Sequence, residues 1–189
     1  MTQRALGTLA AIAVVLICGV VVVGVLQQAE RNAALPLSDS SIIREQAAAK
    51  GLDPALIAAV IYAESKFEPR ESSAGAQGLM QILPATAYYL AQLSGGHAFT
   101  ASDLATPSIN VAYGSYYLRY LLDHYHGDEM LAVAAYNGGL ANVDRWVAES
   151  GGHLAIEEIP FPETREYVQR ALAAQAIYRA TDAQELGID

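Results

Sequence analysis

Residues 53–65 read DPALIAAVIYAES, and the fold turns on this stretch. Asp53 is a strong helix N-cap residue, and Pro54 suits the first helical position, where its missing N–H is no loss. The run that follows is apolar for nearly three turns, which predicts a helix buried on most of its surface. It carries one acid, Glu64, close to its end. Residues three and four positions apart share a helical face, so Glu64 is expected to lie with Ile61 and Val60. A carboxyl group on an apolar face is desolvated, and desolvation raises its pKa. An acid still protonated near neutral pH is what general-acid catalysis requires. A surface glutamate at a helix end has the same spacing, so spacing alone does not separate the two readings.

Outward from this helix the chain reads as short helices joined by irregular segments. Upstream, Ile42–Lys50 is a short helical pattern closed by Gly51 and preceded by a Ser-Asp-Ser-Ser cluster suited to a cap. Downstream, Lys66–Leu83 breaks the pattern with Pro69, Gly75 and Gly78. A break of that length inside a compact domain is usually functional. Pro84 opens a helix ending near Gly95-Gly96, and Pro107 opens a longer one to about His126. Asp128 caps a helix that stops at Asn137-Gly138-Gly139, and a short one carries Val143, Trp146 and Val147. The last runs from about Glu163 to Thr181, with Val168, Leu172, Ala176 and Ile177 as its apolar positions. No alternating strand pattern appears. The expectation is an all-α domain over residues 41–182, with 183–189 as a tail.

The amino-terminal part is of another kind. Ala5–Leu26 has no charged side chain, and at roughly 1.5 Å per residue it covers about the 30 Å of a bilayer core. A signal-peptide core is usually shorter, about 7–15 residues, and Gly24-Val25-Leu26-Gln27 offers no good cleavage site. The stretch is therefore read as a retained transmembrane anchor over residues 1–26, with 27–40 as a linker. Ala29 or Ala33-Ala34 would serve if it were cleaved. Arg4 on the amino-terminal side places the main domain outside the cytoplasm. Cys18 is the single cysteine, so no intrachain disulfide is possible, and Ile17 before it does not suit a lipidation site.

The net charge is −9. Arg4 is the sole charged residue before Gln27, so the remainder is more acidic still. That field opposes a phosphate-backbone partner such as nucleic acid. His97, His124, His126 and His153 show no metal-ligand spacing on a common face, so neither a metal nor a cofactor is expected.

Four blocks then carry a family resemblance. They are Glu64-Ser65-Lys66-Phe67; Ser72-Ser73-Ala74-Gly75-Ala76-Gln77-Gly78-Leu79-Met80-Gln81-Ile82-Leu83-Pro84-Ala85-Thr86-Ala87; Ala134-Ala135-Tyr136-Asn137-Gly138-Gly139; and Ile159-Pro160-Phe161-Pro162-Glu163-Thr164-Arg165-Glu166-Tyr167-Val168. In this order they resemble the soluble-lytic-transglycosylase-type (SLT) catalytic domain, which is related in architecture to goose-type lysozyme. Asn110, Gly114, Tyr117 and Leu118 fit the intervening helix. The resemblance implies a lysozyme-like fold and an enzyme that cleaves peptidoglycan between N-acetylmuramic acid and N-acetylglucosamine, leaving a 1,6-anhydro end.

The resemblance also implies roles. Glu64 matches the catalytic acid/base, and Ser72 the serine of the Ser-x-x-Gly-Ala block. Ser73 stands at the family's usual spacing of nine from the glutamate, so either hydroxyl could be the inward one. Met80, Gln81, Tyr136 and Asn137 match groove residues, and Glu163 matches a second groove carboxylate. In the family a single acid protonates the bridging oxygen, then removes the proton of the muramic 6-hydroxyl as that group attacks C1. Tyr136 and Ser72 would donate hydrogen bonds to the charge-shifted state. The partners implied are glycan strands and, through the anchor, the cytoplasmic membrane, with the domain facing the periplasm or exterior. Two other classes share these residues: a hydrolase in which Glu163 or Glu71 positions water, and a wall-binding protein that does not cleave.

Overall fold

The computed structural model describes residues 34–95 and 99–188. The anchor reading of Ala5–Leu26 and residues 27–33 of the linker lie outside the described residues. Among the described residues, no helix is long and apolar enough to cross a membrane.

The described chain is mostly helical. The α-helices are α1 (Ser40–Lys50), α2 (Pro54–Ser65), α3 (Pro84–Ser94), α4 (Pro107–His124), α5 (Glu129–Gly138), α6 (Leu140–Glu149), α7 (Pro162–Thr181) and α8 (Ala183–Leu186). Short 3-10 turns occupy Ala101–Ala105 and Ile156–Glu158. Helix α2 is the centre. Every residue from Ala55 to Ile61 is at most 1% exposed, which explains why its sequence is apolar on all sides rather than on one stripe. Asp53 caps it as expected, its Oδ1 accepting from the Ala55 N–H at 2.8 Å.

The most extensive helix packing is between α2 and α7. The buried face of α7 is Thr164, Tyr167, Val168, Ala171, Ala174, Gln175 and Tyr178. This corrects the sequence expectation, because Leu172 and Ile177 are only partly buried and Ala176 is exposed. Polarity hid the true face: it includes Thr164 and Gln175, whose side chains have partners. Gln175 Nε2 donates to Asp53 Oδ2 and Glu129 Oε2, each at 3.0 Å. Arg179 Nε donates to the same Asp53 oxygen at 2.7 Å. One cluster thus ties the amino ends of α2 and α5 to the carboxyl half of α7.

Two further features differ from the sequence reading. Residues 70–71 and 77–78 form a minimal antiparallel hairpin, β1 (Arg70–Glu71) and β2 (Gln77–Gly78), paired Arg70 to Gly78 and Glu71 to Gln77. Strands of two residues are too short to show alternation. The segment 183–189 is more than a tail, since α8 packs on α1 and Leu186 is buried. Likewise Leu35 and Leu37 pack on the core, and Tyr178 Oη donates to the Pro36 carbonyl at 2.7 Å.

Candidate active site

Glu64 is the penultimate residue of α2. Directly after it the chain reverses: Lys66 and Phe67 both take left-handed backbone conformations, φ 55° and 65°. Such values are costly for a bulky side chain, and the surroundings hold them. Phe67 is nearly buried, edge-on to Tyr178 at 6.3 Å between ring centres. Ser65 is fully buried, with its Oγ 2.7 Å from the Leu79 carbonyl and 3.1 Å from that of Ile61. Arg70 then reaches back and donates from Nη2 to the Glu64 carbonyl at 2.8 Å.

The Glu64 side chain is partly buried and has one direct partner. Tyr167 Oη donates to Glu64 Oε1 at 2.8 Å. Burial is the largest influence on the carboxyl group and pushes its pKa from 4.5 up to about 7. The Tyr167 hydrogen bond and the positive charges of Arg170 and Arg70 oppose that rise, while Glu163 adds to it. Tyr167 is itself 2% exposed, with the Arg170 guanidinium 5.7 Å from its ring centre. Burial and the Glu64 charge push its pKa well above 10, so the phenol keeps its proton and remains a donor.

A second part of the surroundings is built on the hairpin and its continuation. Tyr136 Oη donates to the Met80 carbonyl at 3.0 Å, and burial followed by the Glu64 charge raises its pKa well above 10. Asn110, fully buried on α4, fixes this strip with three bonds. Its Oδ1 accepts from the Met80 N–H at 2.8 Å, and its Nδ2 donates to Gln77 O at 2.7 Å and Leu104 O at 3.0 Å. The strip lies so close to α4 that a Cβ on Gly78 would sit 2.2 Å from Asn110 Nδ2, and one on Gly114 would sit 2.3 Å from Met80 Sδ. Near Tyr136, a cleft of about 370 Å³ is lined by Asn137, Gly138, Phe161, Pro162, Glu163 and Thr164.

The arrangement is one partly buried acid held by a phenol donor and influenced by Glu163, which lines the cleft. The profile of the Transglycosylase SLT domain family matches residues 41–159. The chain belongs to that family. It is 32% identical over 150 residues to the soluble lytic murein transglycosylase of Escherichia coli strain K12, covering 76% of this chain and 23% of that protein. It is 29% identical over 164 residues to the membrane-bound lytic murein transglycosylase C of Glaesserella parasuis serovar 5, covering 73% and 45%. An inactive mutant of the lytic transglycosylase Slt from Pseudomonas aeruginosa superposes with a TM-score of 0.73 at 34% identity, over 82% of this chain and 25% of that one. The chain therefore spans under a quarter of the length of the soluble relative.

Within this SLT domain the residues singled out from sequence fall into three groups. Glu64, Asn137 and Glu163 have side chains with unspent hydrogen-bonding capacity: Glu163 is exposed, and Asn137 uses its Oδ1 to accept from Thr164 Oγ1 at 2.8 Å. Ser72 is partly buried whereas Ser73 is exposed. Ser72 Oγ accepts from the Ala76 N–H at 3.0 Å, which leaves its own proton to give. The third group needs correction. Met80 is fully buried and packs against Gly114, so its side chain is not open to a ligand. Gln81 Nε2 donates to both Arg70 O and Gly78 O at 2.8 Å, so only its carbonyl oxygen remains for a ligand. Tyr136 gives its one proton to the Met80 carbonyl, so in this arrangement its hydroxyl offers a ligand an acceptor. Tyr167, the direct partner of Glu64, is not singled out by the sequence: it stands in the fourth block, and nothing local shows that it meets a residue over a hundred positions away.

Proposed function

We propose that the chain is a peptidoglycan lytic transglycosylase that cleaves the β-1,4 bond between N-acetylmuramic acid and N-acetylglucosamine with Glu64 as acid and base. The single observation that carries this reading is a partly buried carboxyl group, held by Tyr167 and with a pKa raised to about 7, in an SLT domain. At that value protonated and ionised forms are both populated near neutrality, so one group can give a proton and take another. With Tyr167 on Oε1, Oε2 is the oxygen free to protonate the bridging oxygen of the glycan. Departure of N-acetylglucosamine leaves positive charge at the muramic C1, which the substrate's own N-acetyl group shares. The Glu64 carboxylate, steadied by Tyr167, then takes the proton of the 6-hydroxyl as that oxygen bonds to C1. The 1,6-anhydro ring forms, no water enters, and Glu64 ends protonated for the next cycle. Ser72 and Asn137 act as hydrogen-bond donors to the sugars, Gln81 and Tyr136 as acceptors, and Glu163 as the carboxylate of the adjoining cleft. Mass spectrometry of digested peptidoglycan tests this: anhydro ends are expected, and reducing ends would identify a hydrolase instead.

The site of action we propose is the wall next to the cytoplasmic membrane, with Ala5–Leu26 as a retained anchor and the domain outside the cytoplasm. The apolar run supports it, as does the membrane-bound relative. The chain is fixed to the fold from Pro36 onward, so an anchor ending at residue 26 would keep the domain next to the membrane. Fractionation of the full-length protein with membranes is the expected result; a soluble mature form beginning near Glu30 or Ala34 would contradict it.

A further inference from the structure

The exposed large apolar side chains of the described residues are unevenly placed. Leu83, Tyr88, Tyr89 and Leu93 belong to α3 and its cap, and Phe161 alone lies elsewhere. Helix α3 carries no charged residue, in a chain whose net charge is −9. Its exposed rings are also continuous with the active site. Tyr89 meets Tyr120 at 6.4 Å between ring centres, Tyr120 lies parallel to within 15° of Tyr117 at 6.4 Å, and Tyr117 is 5.4 Å from Tyr136. Tyr117 and Tyr120 sit three apart on one face of α4. All three inner rings are partly exposed. A row of phenol rings thus runs from Tyr136, which feels the Glu64 charge, to the surface of α3.

We infer that Tyr89, flanked by Tyr88 and Leu93, is an outlying sugar-stacking site that holds a glycan strand beyond the groove and makes the enzyme prefer long strands. This rests on the glycan-cleaving reading above. Each step of the row is comparable to one sugar of an extended β-1,4 strand. An aromatic face suits the apolar C–H face of a hexose, and its hydroxyl edge suits the sugar's rim. A protein partner matched to this surface would leave the row of rings into the groove unexplained. Stacking on the apolar faces of sugar rings needs no charge on α3 and uses the row of rings itself.

The test compares wild type and Tyr89→Ala, as full-length protein, on peptide-free glycan strands sorted by length. The readouts are kcat/KM by product chromatography, product ends by mass spectrometry, and affinity for the same strands in the E64Q background. The expected result is a fall of roughly three- to tenfold in the long-to-short ratio of kcat/KM, the worth of one aromatic face. Affinity for long strands should fall in parallel, and Tyr89→Trp should restore both. An unchanged ratio, or equal losses on long and short strands, overturns the inference while leaving the assigned activity standing. An unchanged ratio with weaker self-association in sedimentation would mean that a second copy covers α3, and also overturns it. Reducing ends with the expected fall in ratio would reverse the opposite way: the transglycosylase reading fails and the stacking site stands.

Discussion

Helix α2 and the segment that follows it, residues 66–83, meet at Glu64 and are held by opposite means. Helix α2 is fixed by burial: its middle has no exposed side chain and needs no specific partner. The segment after it has little regular structure and is fixed by polar pins. Asn110 holds Met80, Gln77 and Leu104; Gln81 holds Arg70 and Gly78; Ser65 holds Leu79; Tyr136 holds Met80. Burial is non-directional, so it can desolvate Glu64 without aiming it. Hydrogen bonds are directional, so they can place an acid and a groove wall to within a fraction of an ångström. The site needs both, and substitutions in the two regions should fail differently.

The largest effect should come from the buried side. Leu56→Ala removes a side chain that is 1% exposed and should cost about 2–5 kcal/mol of stability. Activity per folded molecule should change little, as thermal melts and assays well below the transition would show. Next, Asn110→Ala breaks three bonds and leaves buried backbone groups unpaired, a loss of about 2–4 kcal/mol. Unlike Leu56→Ala, it should also lower kcat at temperatures where the protein is folded, because the strip bonded to Tyr136 loosens. Equal behaviour of the two variants would erase the distinction drawn here. Tyr167→Phe sharpens it further. Loss of a hydrogen bond to a charged group is worth about 1.5–3 kcal/mol, or roughly ten- to a hundredfold in kcat/KM. The same change removes a contact that favours the ionised acid, so the alkaline limb of the pH profile should move upward.

The smallest effect concerns stability and pH. The folded state holds the Glu64 proton more tightly than the unfolded chain does, with a pKa of about 7 against 4.5. Stability attached to this raised value is complete below about pH 4.5 and is lost as pH rises through about 7. Glu64→Gln keeps the shape and removes the charge. It should match wild type near pH 4.5 and exceed it by about 2 kcal/mol at pH 8, after allowing for screening from the open side of the cleft.

Much of this was legible in the chain itself. Asp53-Pro54, the Pro84 and Pro107 starts, and the Gly51 and Gly95 stops carry strong local signals, and the helices formed where those signals stand. Glu64 was legible because an acid in an otherwise apolar run is conspicuous. What escaped reading was whatever depends on a distant partner. Gln175 and Thr164 do not show in an apolar pattern, and their hydrogen-bond partners Asp53, Glu129 and Asn137 come from other elements. The contact of Tyr167 with Glu64 likewise depends on a partner far away in the chain. Met80 and Gln81 were expected to face the groove because of their block, but whether a side chain is open to a ligand depends on three-dimensional close approach, here of Met80 to Gly114.

The account stands on Glu64 as a single acid whose proton is lost near pH 7. The most direct measurement is the pH dependence of kcat/KM for release of anhydro-ended fragments, with wild type and Glu64→Gln assayed together. Wild type should lose about tenfold per pH unit above about 7, and the variant should release no such fragments at any pH although its melting curve is intact. Persistent release of anhydro-ended fragments by Glu64→Gln, or a wild-type profile flat from pH 6 to 9, would contradict the account.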